Sequence, residues 1–316
     1  MTLCEKWKAV MIGHAVGDAL GVPVEFCTRE ELRQNPVTDM RGFGTYPVPA
    51  GAWSDDTSMS LCALDSLTCG KFDFDDIMVK FGEWYYEDKY TPTGEMFDVG
   101  NTCSYAIDNY FVHHKSVEEC GLTEERSNGN GSLMRIHPVV LYATKALLKG
   151  TEEGYWFWMS AIKQASELTH AHERSVMGCY IYGYCLSFLL KESTRESLIA
   201  GIKFAGYDLD YLPEFEHYKR IFEPDFENLT EDDIKSTGYV VDTLEAALWC
   251  LLTTDNYRDC VLKAVNLGDD TDTVAAVAGG LAGALYGYEA IPKEWRETLI
   301  KRDYIEKLCE IAYENC

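Results

Sequence analysis

Hydrophobic positions recur along this chain at steps of three and four, the spacing that aligns one face of an α-helix. In the first segment Trp7, Val10, Met11, His14, Gly17, Asp18 and Gly21 keep that step. Gly13, Gly17 and Gly21 lie four apart, which lets a second helix approach closely at a cost in helix propensity. Further helices are predicted over Thr57–Leu67, Ile77–Glu87, Cys103–Phe111, Pro138–Lys149, Trp156–Glu167, Glu173–Lys191, Thr243–Leu252 and Cys260–Leu267. The last strong stretch, Thr273–Tyr286, is rich in Ala and Gly, with Gly279, Gly283 and Gly287 along it. A helix with such small side chains belongs at the centre, closely surrounded. Alternating strand patterns with hairpin turns are nearly absent, so the expected fold class is all-α. Asn35–Ser54, Tyr90–Asn101, Ser127–Ser132 and Tyr207–Thr237 read as loops, the last an acidic, aromatic excursion expected to be solvated. No internal repeat or low-complexity linker divides the chain, and 1–316 is read as one domain.

Composition narrows the class. With 316 residues, 47% of them hydrophobic, the chain can bury a sizeable core. No apolar run approaches the roughly 20 residues of a membrane span. Residues Met1–Trp7 show no basic stretch leading into an apolar segment, so no signal peptide is read and a cytoplasmic protein is expected. The twelve cysteines are scattered, without a CxxC pair or zinc-ligand spacing. Cys62, Cys179, Cys185 and Cys250 read as small buried hydrophobes in a reduced protein. A net charge of −24 repels nucleic-acid backbones and anionic membranes and argues against both as partners. An anionic substrate would need local positive charge, which bound metal ions could supply.

Two acidic motifs stand far apart: Trp53-Ser54-Asp55-Asp56-Thr57 and Gly268-Asp269-Asp270-Thr271-Asp272-Thr273, each leading into a strong helix. Either alone could be helix capping, since Asp, Ser and Thr satisfy the free N–H groups of a first turn. Capping needs one such residue, however, and adjacent carboxylates repel unless something positive lies between them. Two such motifs tilt the reading toward a metal site. Carboxylate and hydroxyl oxygens suit hard cations such as Mg²⁺ or Mn²⁺ rather than Zn²⁺. The five carboxylates Glu25, Asp55, Asp56, Asp270 and Asp272 are nearly neutralised by two divalent cations. Because a helix N-terminus is itself partly positive, the carboxylates must outweigh it to hold a cation there.

Asn128-Gly129-Asn130-Gly131-Ser132-Leu133-Met134-Arg135 is a small polar loop entering an apolar helix. It reads as an ordinary connection or as a backbone cradle for phosphate supplemented by Arg135. Asp98 and His170 are further candidates, although a lone Asp there reads first as a turn residue and a lone His before a helix as a cap or satisfied polar group. Two superficial matches fail. Asp270-Thr271-Asp272-Thr273-Val274 resembles an aspartyl-phosphate motif, but it follows a predicted helix instead of a buried strand. Asp55-Asp56 lacks the third aspartate of DDxxD, Met59 standing there.

Taken jointly, the motifs resemble the ADP-ribosylglycohydrolase family, of the dinitrogenase reductase-activating glycohydrolase type. The resemblance runs through Gly13–Gly21 with Glu25, Trp53–Thr57, Phe97–Thr102, Asn128–Arg135, Thr169-His170, Gly238–Ala246 and Gly268–Thr273, in order over most of the chain. It implies an orthogonal helix bundle around a di-metal cleft that removes ADP-ribose from a modified protein or a small acceptor. By that resemblance Ser54, Asp55, Asp56, Asp270, Asp272 and Thr273 would ligate two cations, Mg²⁺ or Mn²⁺. Glu25 and Asp98 would be catalytic, Asp98 facing the substrate ribose. Asn128, Gly129, Asn130, Gly131, Ser132 and His170 would line the substrate site, and a monomer is expected. Ser54 stands where many members have Thr, keeping the hydroxyl. Rival readings are a di-metal hydrolase of another nucleotide or nucleotide-sugar, a pure ADP-ribose-binding module, and a non-catalytic relative.

Overall fold

The computed structural model describes residues 1–315 and is built from α-helices joined by loops and short 3₁₀ turns. The helices are α1 (Leu3–Gly21), α2 (Arg29–Gln34), α3 (Asp55–Leu67), α4 (Phe74–Glu87), α5 (Asn101–Phe111), α6 (His137–Leu147), α7 (Glu152–Glu167), α8 (Glu173–Lys191), α9 (Arg195–Leu209), α10 (Val240–Leu252), α11 (Tyr257–Val265), α12 (Thr271–Tyr286), α13 (Lys293–Thr298) and α14 (Arg302–Asn315). Among the described residues β pairing is limited to two isolated bridges, Leu122 with His170 and Gly129 with Tyr239. The fold is all-α.

α1 and α12 form the centre and pack most extensively against each other. Their glycines explain why. A methyl group at Gly13 or Gly17 would collide with the backbone carbonyls of Gly279 or Ala275, and one at Gly283 would collide with Ala9. The two backbones therefore touch where side chains would otherwise hold helices ~8–10 Å apart. Around this pair lie α3, α6, α8, α10, α11 and α14, and nearly every residue of α1 from Lys6 onward is buried. Buried Lys6 donates its ammonium to the carbonyls of Leu189 and Leu190 at 3.0 and 2.9 Å, satisfying the C-terminal turn of α8.

The predicted helices are present with ends shifted by a few residues, while α2, α9, α13 and α14 lie outside the predicted set. The Tyr207–Thr237 excursion is a correction. It begins as the end of α9 and continues as 3₁₀ turns over Pro213–Phe222, Phe226–Asn228 and Glu231–Asp233. Tyr218, Ile221, Phe226 and Ile234 are buried in the main core. Arg29 holds its far end by donating to the carbonyls of Glu231 and Ile234. Many of its acids are exposed, but Asp208 accepts from Tyr155 and Tyr184, Glu214 pairs with Arg174, and its apolar residues are part of the fold. Cys62, Cys179, Cys185 and Cys250 are buried as expected and form no disulfide.

Candidate active site

The N-terminal turns of α3 and α12 meet beside the C-terminal half of α1. Gly21 allows this, because its Cα lies against the backbone of Thr271 and Asp272, and the Thr271 hydroxyl donates to the Gly21 carbonyl at 2.8 Å. Asp18, one turn earlier on α1, is fully buried. Its Oδ1 accepts from Ser54 N–H at 2.8 Å; its Oδ2 accepts from Thr57 N–H at 3.0 Å and from the Thr57 hydroxyl at 2.6 Å. A carboxylate in the central helix thus clamps the first turn of α3.

That clamp sets the two acidic motifs against each other. Ser54 caps α3, its hydroxyl accepting from Asp56 N–H at 3.3 Å. The same hydroxyl donates to Asp56 Oδ2 at 3.0 Å, and the Thr273 hydroxyl donates to that oxygen at 3.3 Å. Asp270 precedes α12 without capping it; its Oδ2 accepts from Asn130 Nδ2 at 2.8 Å. Capping therefore accounts for Ser54 and leaves Asp55, Asp56, Asp270 and Asp272 unexplained. Two groups of carboxylate oxygens each lie within 4.8 Å: Asp18, Asp56 and Asp272, and Glu25, Asp98 and Asp272. Asp272 belongs to both. Asp55 stands close by, held by the Gly100 N–H and facing Asp98 and Asp270.

Electrostatics makes the cluster untenable as seven bare anions. Burial, then carboxylate neighbours, raises Asp55, Asp56 and Asp272 well above the usual range, and burial also raises Asp270. Burial followed by Asp98 and Asp270 pushes Glu25 up to about 9, while burial takes Asp18 to about 7 and Asp98 to about 6. Buried oxygens remain without partners on Glu25 (Oε2), Asp56 (Oδ1) and Asp272 (Oδ2). Unpartnered oxygen acceptors facing like charge are the donor set of a hard divalent cation. The residues present fit one.

Sequence reasoning passed over two members of this site. Asp18 lay within a quoted motif without a role. Tyr46, in the Asn35–Ser54 loop, lies within hydrogen-bonding reach of Glu25 and Asp98, its ring packed on Phe97 at 4.9 Å. Its phenol stays protonated, since burial and the two acids raise its pKa. Asp98 itself takes a left-handed backbone, φ 55°, a conformation that aspartate tolerates better than most residues.

The Asn128–Ser132 loop borders the cluster through Asn130. Its side chains are already engaged: Asn128 donates to the Glu125 carbonyl and accepts from Ser175, Asn130 donates to Asp270 and Thr243, and Ser132 accepts from Ser166. The loop is pinned to the turn before α10 by Asn130 N–H donating to Gly238 O and Val240 N–H donating to Asn128 O. Among the described residues, the N–H groups of Gly129, Gly131 and Ser132 have no hydrogen-bond partner.

Arg135 corrects the expectation of a phosphate supplement. It is fully buried, stacked on Phe81 at 4.8 Å, and donates to Ala165 O at 3.0 Å and to the Thr169 hydroxyl at 2.7 Å. The Thr169 hydroxyl lies 2.8 Å from His170 Nδ1. Arginine has no acceptor, so the Thr169 hydroxyl accepts from it, and its proton and second lone pair are left for His170 Nδ1 and the neighbouring Cys103 thiol. Burial and Arg135 push His170 down to about 3, keeping it neutral, with Nε2 toward Gly129 and Gly131.

A family model described as ADP-ribosylglycohydrolase matches residues 1–316. The chain belongs to the ADP-ribosylglycohydrolase family. It is accordingly a glycosyl-bond hydrolase acting on ADP-ribose linkages. It is 35% identical over 97% of its length, and 78% of the relative's, to an ADP-ribosylarginine hydrolase, Tri1, of Serratia proteamaculans. An ADP-ribosyl-[dinitrogen reductase] glycohydrolase of Rhodospirillum rubrum is 34% identical over 91% of this chain and 88% of that protein. A solved ADP-ribosylglycohydrolase-related protein complex superimposes with a TM-score of 0.80 at 31% identity, covering 99% of this chain and 98% of the other. Among the described residues no helix of this ADP-ribosylglycohydrolase is long and apolar enough to cross a membrane.

Proposed function

We propose that this enzyme releases ADP-ribose from ADP-ribosylated arginine of a protein acceptor, in a reaction that requires two divalent cations, Mg²⁺ or Mn²⁺. The observation that carries metal dependence is the pair of carboxylate groups sharing Asp272, with unpartnered buried oxygens on Glu25, Asp56 and Asp272. The arginine linkage is supported by the likeness to an ADP-ribosylarginine hydrolase over nearly the whole chain.

Ser54, Asp55, Asp56, Asp270, Asp272 and Thr273 would hold the cations. When bound, these ions would supply positive charge that orients ribose hydroxyls and favours an ionised water nucleophile. The free N–H groups of Gly129, Gly131 and Ser132 suit the diphosphate, and neutral His170, as its Nε2–H tautomer, would add a donor beside them. Glu25, beside Asp98 and under Tyr46, orients water at the anomeric carbon and accepts its proton. Asp98 accepts a hydrogen bond from a ribose hydroxyl. The bond from the anomeric carbon to the guanidine nitrogen breaks as the bond to water oxygen forms, through an oxocarbenium-like transition state. The proton returns to the leaving guanidine.

The test is release of ADP-ribose from arginine- and serine-linked protein substrates with Mg²⁺ or Mn²⁺ and with EDTA, alongside calorimetric Mn²⁺ titration. Release from the arginine linkage, lost in EDTA, is expected, and Asp272→Ala should remove both tight Mn²⁺ binding and turnover. Activity unchanged in Asp272→Ala would overturn the metal scheme, and release from serine alone would overturn the arginine assignment.

A further inference from the structure

Two large apolar side chains stand in water beside Glu25. Phe26, its immediate neighbour, is 67% exposed, and Phe43 is 75% exposed. Both have left-handed backbones, φ 64° and 57°, a conformation that bulky residues rarely adopt. The frame around them is rigidly tied. Phe26 N–H donates to Asp269 O at 2.7 Å, next to Asp270, and Phe43 N–H donates to Val48 O at 2.8 Å. Gly44 packs against the Pro23 carbonyl, Thr45 N–H donates to that carbonyl at 3.0 Å, and the Thr45 hydroxyl donates to Glu25 O at 2.7 Å. The chain thus holds two exposed rings on segments tied to the backbone around Glu25.

We propose that Phe26 and Phe43 form the footing for the acceptor protein, covered by apolar side chains flanking the modified residue. This rests on the hydrolase reading above. The occupant follows from the layout of the cleft. The loop with free N–H groups reaches the cluster through Asn130, which donates to Asp270, while Glu25 and Asp98 gather with Asp272 and lie within reach of Tyr46. With the diphosphate at the loop and the anomeric carbon at Glu25, the bond to the acceptor leaves past Glu25, and the residue following Glu25 in the chain is Phe26. The net charge of −24 favours a basic setting for those apolar side chains on the partner. Contacts remote from the reacting bond then supply binding that a small acceptor lacks.

The test compares one linkage on two acceptors: ADP-ribosylarginine in a folded protein, and ADP-ribosylated agmatine. In a Phe26→Ala/Phe43→Ala variant, kcat/KM for the protein substrate should fall about tenfold or more, with turnover of ADP-ribosyl-agmatine within about twofold of wild type. Mn²⁺ affinity and thermal midpoint report whether the fold and cluster survive. A Phe26→Leu/Phe43→Leu variant, which keeps apolar footing, should retain most of the protein activity. Equal loss on both acceptors, or no loss on the protein, overturns the docking role. Wild-type enzyme inactive on ADP-ribosyl-agmatine and protein alike would overturn the arginine assignment, and this inference with it.

Discussion

At the scale of single residues, the site depends on side chains that never touch substrate. The Arg135–Thr169–His170 chain is the clearest case, because Arg135 holds the Thr169 hydroxyl and that hydroxyl holds His170 Nδ1 at 2.8 Å. Wild-type protein should show His170 as the neutral Nε2–H tautomer by ¹⁵N-resolved NMR of labelled histidine. Thr169→Val should produce a tautomer mixture and weaken ADP-ribose binding about tenfold, the worth of one well-placed donor, with Thr169→Ser restoring both. A wild-type spectrum with the proton on Nδ1 would refute the donor role of His170 toward the diphosphate. The sequence hints at only part of this. His170, Asp98 and both acidic motifs announce themselves by residue type and by joint resemblance. Arg135 reads naturally as a phosphate ligand, and only its burial against Phe81 shows that it serves Thr169 instead. Tyr46 carries no local signal, being one aromatic in a Pro/Gly loop, and Asp18 is masked by lying on a helix face that otherwise reads as core.

At the scale of elements, the all-α class and the close α1–α12 contact were legible because glycine spacing has a direct physical consequence. Gly17→Ala would drive a methyl into the Ala275 carbonyl, one residue before Asp18. Despite alanine's better helix propensity, the variant should lose about 1–3 kcal/mol or more in chemical denaturation. It should also lose Mn²⁺ affinity, because displaced Asp18 would release the first turn of α3. A variant as stable as wild type would mean that the two helices can separate freely. Other elements were hidden for separable reasons. α2 and α13 are six residues each, too short for a periodic signal. α14 does carry one, since Ile305, Leu308, Cys309 and Ala312 fall at helical steps on its buried face. In the 207–237 excursion, acids are prominent in the composition while burial of Tyr218, Phe226 and Ile234 depends on packing against α10 and on α8 and Arg29, the last two distant in sequence.

For the molecule as a whole, a chain with net charge −24 folds around its own densest group of acids, and this ties stability to pH and to cations. The sign follows from the raised pKa values. Asp98, Asp18 and Glu25 titrate at about 6, 7 and 9 in the cation-free folded chain, against ordinary values of 3.8 for Asp and 4.5 for Glu. Folded protein therefore binds more protons than unfolded protein across this window. The stability these groups contribute is full below pH ~4 and drains away as pH rises through about 6 to 9. Divalent cations act oppositely, binding the ionised cluster and displacing its protons, so their affinity should climb about tenfold per pH unit for each proton released. Thermal midpoints measured between pH ~5 and ~8.5 should consequently fall with pH in EDTA, and the midpoint gained on adding Mn²⁺ should widen over the same range. Asp272→Ala, which removes the carboxylate common to both groups, should abolish the gain. A Mn²⁺ gain that stays constant with pH would mean that the cluster is already ionised without the metal, and that something other than divalent cations balances its charge.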